Sequence, residues 1–517
     1  MPFPTILPSD TRTAPTDAVT LAVYAPFGTD EVLSSYPDGS SRELAQHPLF
    51  KSLLQVCECG VHVSALIDLA GDDTYLVDLP AGQPAAVKVI SRWKQDMSAP
   101  ATLAGFLRHA QATWPSSALV LALEGHGAGF LPDIDRRQLS TQNVTAGGTI
   151  EWRMSGDHAS PVLPMGSPLL PMGSPLLPMG SPLLPANHMP ISTAGLGIAL
   201  KDAIAHGAPK IAALHFNNCF NMSVEVLHTV APYAEYATGY MNYNFFTAGA
   251  TYPAVFARLQ RAGSASAEQL ACWFADENRA ALAQKKHHPT VGGVIRLSRM
   301  HEIAERIDDL ADALLSALRT ASAGARPAVV SKVRHAILKA QQYDTDAPME
   351  LESPDQLTDV YSLAAALTQF DFGPHKVHSA ALALQKALQG VKAYGENDHP
   401  WVAFDQRWNF SAPTLAMNIF LPDPLLSGLW DWRSPYYLNV NPDPTLPQVQ
   451  PRIIEFLKVT DWVDFIIEYH KEARFIGLLP AAIPAFPVFN AGFEPPRKSD
   501  DPCHDGGSKE GGKGTAR

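Results

Sequence analysis

Two apolar runs of strand length constrain this chain more than anything else in it. Leu119-Val120-Leu121-Ala122-Leu123 runs into Glu124-Gly125-His126-Gly127, and Ile211-Ala212-Ala213-Leu214-His215-Phe216 runs into Asn217-Asn218-Cys219. Runs this short and this continuously apolar belong to strands buried on both faces, as in a parallel sheet covered by helices. Each stops at a polar, chemically capable residue, so the C-terminal edge of that sheet is where a site belongs. We therefore pair His126 with Cys219. A thiol is a good nucleophile only as thiolate, and a neighbouring imidazole lowers its free pKa of about 8.5. Gly127 fits the same picture, because without a Cβ it lets a substrate carbonyl approach the main chain and offers an N–H to a developing oxyanion. Spacing by itself leaves the plainer alternative open, in which Gly-His-Gly is a turn and Cys219 a small buried hydrophobe.

Further residues extend the pattern. Thr102-Leu103-Ala104-Gly105-Phe106-Leu107 and Trp114-Pro115 precede the histidine strand, while Ser223-Val224-Glu225-Val226 and Pro232-Tyr233-Ala234-Glu235-Tyr236 follow Cys219. Together with the two strand ends they resemble the clostripain family of cysteine peptidases, relatives of caspases and gingipains, from about residue 20 to about residue 475. The resemblance implies a three-layer α/β caspase-like sheet with flanking helices, followed by a largely helical C-terminal region. It implies Cys219 as nucleophile, His126 as general base or proton carrier, and an oxyanion hole from the N–H groups of Gly127 and Cys219. The implied partner is a peptide or protein substrate. Such a dyad needs no cofactor for its chemistry; some relatives respond to calcium, and no ligand set for a metal is evident in the sequence.

One departure bears on specificity. The family's Phe-Asp-Ala-Cys reads Phe216-Asn217-Asn218-Cys219 here, and its Ser-Glu-Glu stretch reads Tyr240-Met241-Asn242. Acids in that neighbourhood pair with Arg or Lys in the resembled family, and a guanidinium without a counter-charge is costly to bury. We expect Asn217, Asn218, Met241 and Asn242 to line the substrate pocket, and peptide cleavage without strict Arg or Lys specificity. The same alteration motivates a rival reading, a non-catalytic or weakly active relative that binds peptide or protein. A different Cys-dependent acyl hydrolase or transferase is a third.

The chain of 517 residues is long for one core. We expect a loose lead-in over 1–18, a catalytic domain over 19–255 with an insertion at 136–190, a mainly helical region over 256–490 with a late strand, and a disordered tail over 491–517. The insertion repeats Pro-Met-Gly-Ser-Pro-Leu-Leu from Pro164, Pro171 and Pro178, a spacing of prolines that excludes regular helix. Arg136, Arg137 and Arg153 near it would be accessible to cleavage, although a tolerated loop expansion accounts for it equally.

A net charge of -12 argues against nucleic acid and anionic membrane as partners. Five cysteines, Cys57, Cys59, Cys219, Cys272 and Cys503, make no disulfide framework and fit a reducing compartment. With no signal-peptide pattern and no apolar run of spanning length, cytoplasmic residence is expected. Cys57-Glu58-Cys59 reads as structural, and His287-His288 as loop rather than metal site.

Periodicity predicts first strands at Thr20–Ala25 and Val61–Leu69, and a small hairpin beyond the sheet from Tyr75–Asp78 and Ala86–Ile90. It predicts helices over 265–284, 301–321, 327–342, 357–370 and 377–391, a strand within Thr414–Pro422, and a closing helix over Arg452–Tyr469. A helix over Met222–Val230 would direct its N-terminal dipole at the thiolate.

Overall fold

A computed structural model describes residues 19–28, 43–69, 74–90, 95–115, 118–127, 129–133, 191–242, 244, 248–283, 291–343, 357–395, 399–401, 406–408, 415–421, 437 and 453–475. The strands are β1 (Val19–Pro26), β2 (His62–Asp68), β3 (Thr74–Leu79), β4 (Lys88–Ile90), β5 (Ala118–Glu124), β6 (Ile211–Asn217), β7 (Ala234–Tyr240), β8 (Val291–Arg296), β9 (Leu357–Asp359), β10 (Lys392–Gly395), β11 (His399–Trp401), β12 (Gln406–Trp408) and β13 (Asn418–Phe420). The helices are α1 (Pro48–Glu58), α2 (Pro100–Thr113), α3 (Thr193–Ala205), α4 (Val224–Val230), α5 (Tyr252–Ala262), α6 (Ala267–Ala283), α7 (Met300–Thr320), α8 (Arg326–Lys339), α9 (Val360–Leu367), α10 (Val377–Leu388), α11 (Glu455–Val459) and α12 (Trp462–Phe475).

Nine strands form one sheet in the order β10-β8-β7-β6-β5-β1-β2-β3-β4. Its centre, from β7 through β6, β5 and β1 to β2, is parallel, and antiparallel strands extend both edges. This is the mixed α/β architecture that the two apolar runs predict. Side chains alternate across β5: Leu119, Leu121 and Leu123 enter a core with α2, α3, α4 and α7, while Val120 and Ala122 enter a second core with α1, α5 and α6. Both faces are thus covered, which is why β5 and β6 carry almost no polar residue before their ends.

The predicted hairpin is not beyond the sheet: β3 pairs with β2 from Thr74 to Leu79 and β4 pairs with β3, so both are sheet edge. Likewise β8 and β10, which follow residue 255, complete the opposite edge, and the helical C-terminal residues share the first core with β1 and β5. The expected helix over 357–370 starts as strand β9, because Leu357–Asp359 pairs with β13 before Asp359 caps α9 through the Ser362 N–H. The expected closing helix breaks at Thr460, whose extended main chain separates α11 from α12.

Helix boundaries follow ordinary capping. Pro100 sits in the first turn of α2, and Ser192 caps α3 by accepting from Gly195 N–H. Cys57 donates its thiol to the Pro80 carbonyl at 2.9 Å, in keeping with a structural role. Among the described residues no helix is long and apolar enough to cross a membrane. The lead-in 1–18, the proline repeat with Arg136, Arg137 and Arg153, His287-His288 and the tail 491–517 lie outside the described residues.

Candidate active site

Parallel pairing sets Glu124 of β5 opposite Asn217 of β6, so the loops carrying His126 and Cys219 leave the sheet side by side. Gly125 turns the first loop with a φ of 94°, a conformation that favours glycine. Two residues on, a Cβ placed on Gly127 would lie 2.1 Å from the Cys219 carbonyl oxygen and 3.0 Å from its nitrogen. The main chains of the two loops are therefore in contact, at a closeness only glycine permits. Immediately after Cys219, Phe220 takes a left-handed φ of 58°, rare for a large side chain. Its N–H donates to the Asn242 carbonyl at 2.9 Å, and the Met222 N–H donates to the Tyr240 carbonyl at 3.0 Å, which ties this bend to the end of β7.

Both candidate residues are largely covered, His126 being 9% and Cys219 6% exposed. His126 lines a small pocket together with Gly127, Asn218, Asn221, Tyr24 and Thr193.

The sulfur faces the main chain of Asn244. Asn244 N–H donates to Cys219 Sγ at 3.2 Å, and the thiol in turn reaches the Asn244 carbonyl at 3.6 Å. A polar series continues from there into the core. Asn244 Nδ2 donates to Asn217 Oδ1 at 3.0 Å, Asn217 Nδ2 donates to both oxygens of Glu124 at 3.0 and 2.9 Å, and the Tyr252 hydroxyl donates to Glu124 Oε1. Burial pushes the Glu124 carboxyl up to about 7, against the opposing pull of the Tyr252 and Asn217 hydrogen bonds. Burial also keeps Tyr252 and Tyr240 protonated well above the usual phenol range, and pushes His215 down to about 3, so that it is neutral where it stacks on Phe274.

A second buried set holds the loop from the C-terminal side. Asn418 Nδ2 donates to the carbonyls of Phe220 and Met241, both at 2.9 Å, and Asn418 N–H donates to the Met222 carbonyl at 3.1 Å. Asp359 accepts from Ser362 N–H at 2.7 Å, Ala416 N–H at 2.8 Å and the Tyr343 hydroxyl at 2.9 Å, and burial raises it to about 6. Glu225 accepts from Phe420 N–H at 2.9 Å and the Tyr437 hydroxyl at 2.8 Å.

The four residues expected to line a substrate pocket divide. Asn218 lines the pocket with His126, and its Oδ1 accepts from Asn221 at 2.8 Å. Asn217 faces Glu124 and Asn244. Met241 is fully buried with its sulfur accepting from the Tyr343 hydroxyl at 3.5 Å, and Asn242 is fully buried with its Oδ1 accepting from the first N–H of β8 at 3.0 Å. Those two sit in the frame behind the loop, because β8 pairs directly alongside β7 and covers its end.

The helix expected over Met222–Val230 begins two residues later. Helix α4 starts at Val224 with Ser223 capping the Val226 N–H, and the main-chain donor that reaches the sulfur belongs to Asn244. Sequence reasoning gives no role to Glu124, Tyr252 and Asn418, and takes Asn244 only as part of a loop, 243–249, that could wall a substrate pocket or pack against the core. An acid as last residue of an otherwise apolar strand is the one available signal. Among the described residues no group of three or more metal-capable side chains comes together.

The profile of the clostripain family, peptidase C11, matches residues 191–469, more than half of the chain and including Cys219. No curated protein matches the sequence significantly. Among solved structures, the secreted C11 cysteine protease "iotapain" of Bacteroides thetaiotaomicron is 12% identical, with 78% of this chain and 93% of that one covered at a TM-score of 0.50. A secreted C11 cysteine protease from the same organism, in complex with an irreversible peptide inhibitor, is 13% identical over 78% and 92% at 0.48. An inactive zymogen C11 protease of Parabacteroides distasonis is 13% identical over 81% and 99% at 0.48. At these identities the first of the three bears on the fold alone.

Proposed function

The chain belongs to the clostripain family of cysteine-type peptidases, and from that premise we propose that Cys219 is its nucleophile and His126 its proton carrier in the hydrolysis of peptide bonds. The Cys219 thiolate attacks the scissile carbonyl, forming a C–S bond and an oxyanion. The N–H groups of Gly127 and Cys219 receive that oxyanion. His126 gives a proton to the leaving amine as the C–N bond breaks. Water then attacks the thioester, His126 takes a proton from it, and C–S cleavage releases the acid.

One observation carries the pairing: the Gly127 main chain lies against that of Cys219, so the imidazole loop and the thiol loop meet. The Asn244 N–H at 3.2 Å from Sγ supports it, since a donor on the sulfur favours the thiolate.

For specificity, we read cleavage without a strict requirement for Arg or Lys. The nearest acid to Asn217 is Glu124, and its oxygens already accept from Asn217 and Tyr252. An incoming guanidinium would have to displace both. Asn218, beside His126, is the residue we assign to substrate contact. The four described cysteines form no disulfide with one another, which suits a reducing compartment and our placement of the enzyme in the cytoplasm.

A thiol-directed probe and a peptide library test this reading. Cys219→Ala should abolish labelling and cleavage, and His126→Ala should lower kcat by about 10²- to 10⁴-fold. Cleavage retained by Cys219→Ala overturns the nucleophile. Folded wild-type protein that labels no better than Cys219→Ala favours the peptide-binding alternative, and a strict preference for Arg before the cut overturns the specificity.

A further inference from the structure

The polar series behind the nucleophile has a direction. Once ionised, Glu124 offers acceptors only, which suits the orientation in which Asn217 turns its NH2 toward Glu124 and its carbonyl toward Asn244. Asn244 Nδ2 then donates to that carbonyl at 3.0 Å, and the main-chain N–H of the same residue donates to Cys219 Sγ at 3.2 Å. Asn217 is fully buried and Glu124 is 2% exposed, which leaves little solvent to replace a lost partner.

The start of the series is rigid as well. Tyr252, which holds Glu124 Oε1, is the first residue of α5, and its N–H donates to the Gly249 carbonyl at 3.0 Å. Four elements thus converge on one sulfur: β5 through Glu124, β6 through Asn217, the segment after β7 through Asn244, and α5 through Tyr252. None of these side chains enters the chemistry assigned to Cys219 and His126.

We propose that Glu124 is a positioning residue for Cys219, acting through Asn217 and Asn244 to hold the Asn244 main-chain N–H on the sulfur. The inference rests on Cys219 being the nucleophile. It gives the buried acid a task other than substrate contact: the carboxylate fixes Asn217, Asn217 fixes the Asn244 side chain, and the anchored side chain fixes the donor that favours the thiolate. A donor held in advance costs no reorganisation when the thiol ionises.

Three variants of the full chain test it, with iodoacetamide alkylation of Cys219 followed against pH and a peptide substrate assayed at pH 8. Asn244→Ala keeps the main-chain N–H and removes its anchor. Asn217→Leu cuts the series one step deeper at similar volume. The exchange E124Q/N217D keeps every donor facing an acceptor. The amide introduced at position 124 would donate to the carboxylate introduced at position 217 and accept from Tyr252, while Asn244 still donates to position 217.

Asn244→Ala and Asn217→Leu should each slow alkylation at pH 8 about tenfold, raise the apparent thiol pKa and lower kcat with little change in KM. The exchange should alkylate within about threefold of wild type. If Asn217→Leu does not fold, Asn244→Ala and the exchange still decide the matter. Unchanged alkylation and thiol pKa in a folded Asn244→Ala protein, or an exchange variant as slow as the single variants, overturns the positioning role alone. A wild-type Cys219 that reacts no faster than an ordinary exposed thiol overturns the nucleophile assignment beneath it.

Discussion

One buried polar cluster lies behind each face of the sheet at the Cys219 loop, and the two satisfy their carboxyl groups differently. Toward α5, Glu124 accepts from the side chains of Asn217 and Tyr252. Toward the C-terminal segment, each carboxyl accepts from one tyrosine hydroxyl and from main-chain N–H groups besides, Asp359 from Ser362 and Ala416 and Glu225 from Phe420. A main-chain donor is present whatever the side chain, so a carboxyl that collects main-chain donors fixes the path of the polypeptide. A carboxyl that collects side-chain donors fixes side chains, and through them what the sulfur meets. Removing the C-terminal carboxyls should therefore act on the path of the loop, and removing the α5 acid, on the positioning role we propose, on the reactivity of the thiol.

The largest effect should come from removing the C-terminal carboxyl. Asp359→Ala leaves the N–H groups of Ser362 and Ala416 without the acceptor they share, at roughly 1–3 kcal/mol each, and takes from the Tyr343 hydroxyl its stronger acceptor, the Met241 sulfur remaining. We expect a loss on the order of 4 kcal/mol in urea unfolding. A loss below about 1 kcal/mol accompanied by slow alkylation would reverse the division between the clusters.

The titration of the two acids should come next. Burial raises Glu124 from 4.5 to about 7 and Asp359 from 3.8 to about 6. The native state therefore keeps protons that the unfolded chain has already released. Their contribution to stability is complete below the unfolded values and is lost progressively as pH rises from there to the folded values of about 7 and about 6. A tenfold change in proton affinity is worth about 1.4 kcal/mol, so the rise at Glu124 corresponds to roughly 3 kcal/mol over that window. Tyr252 and Tyr240, which face Glu124, stay protonated throughout, and His215 beyond Tyr252 is neutral down to about 3. Unfolding midpoints between pH 4 and 8 should fall in the wild type and fall less in Glu124→Gln; equal slopes would remove Glu124 as their source.

Asn418→Ala should cost less, about 2 kcal/mol, by leaving the carbonyls of Phe220 and Met241 without the side-chain donor they share. Because those carbonyls flank the bend at Phe220, alkylation of Cys219 should also become slower as the loop loosens. Stability lost with alkylation unchanged would place the bend under the control of α5 alone.

Much of the sheet is legible in the sequence because β5 and β6 are buried on both faces, which leaves their composition little freedom. The two strand ends declare themselves for the same reason: His126 and Cys219 are where that constraint stops. Periodicity says which residues are buried but not which strand lies alongside. Nothing local distinguishes β3 and β4 as sheet edge from a separate hairpin, and the partner of Leu357–Asp359 is sixty residues away in β13. Met241 and Asn242 are expected at the substrate because they stand where the resembled family has its Ser-Glu-Glu stretch, yet β8 lies alongside that position. Register decides Glu124 in the same way. Its importance comes from lying opposite Asn217, a fact of pairing and not of either segment.

Tyr252→Phe is the smallest and sharpest test of the difference between the clusters. The substitution removes one hydroxyl, leaves the ring packed against Phe274 and His215, and takes from Glu124 its donor on α5 while leaving Asn217 in place. Stability should change by about 1 kcal/mol or less, since the hydroxyl and one of its acceptor's bonds are lost together. The Glu124 carboxyl, with one fewer donor on its charged form, should titrate higher still. Its hold on Asn217 weakens, so alkylation of Cys219 at pH 8 should slow about two- to threefold, well short of the loss in Asn244→Ala. If Tyr252→Phe instead cost as much stability as Asp359→Ala and left the thiol untouched, the α5 cluster would be a second structural clamp, and the contrast between side-chain and main-chain donors would have no functional meaning here.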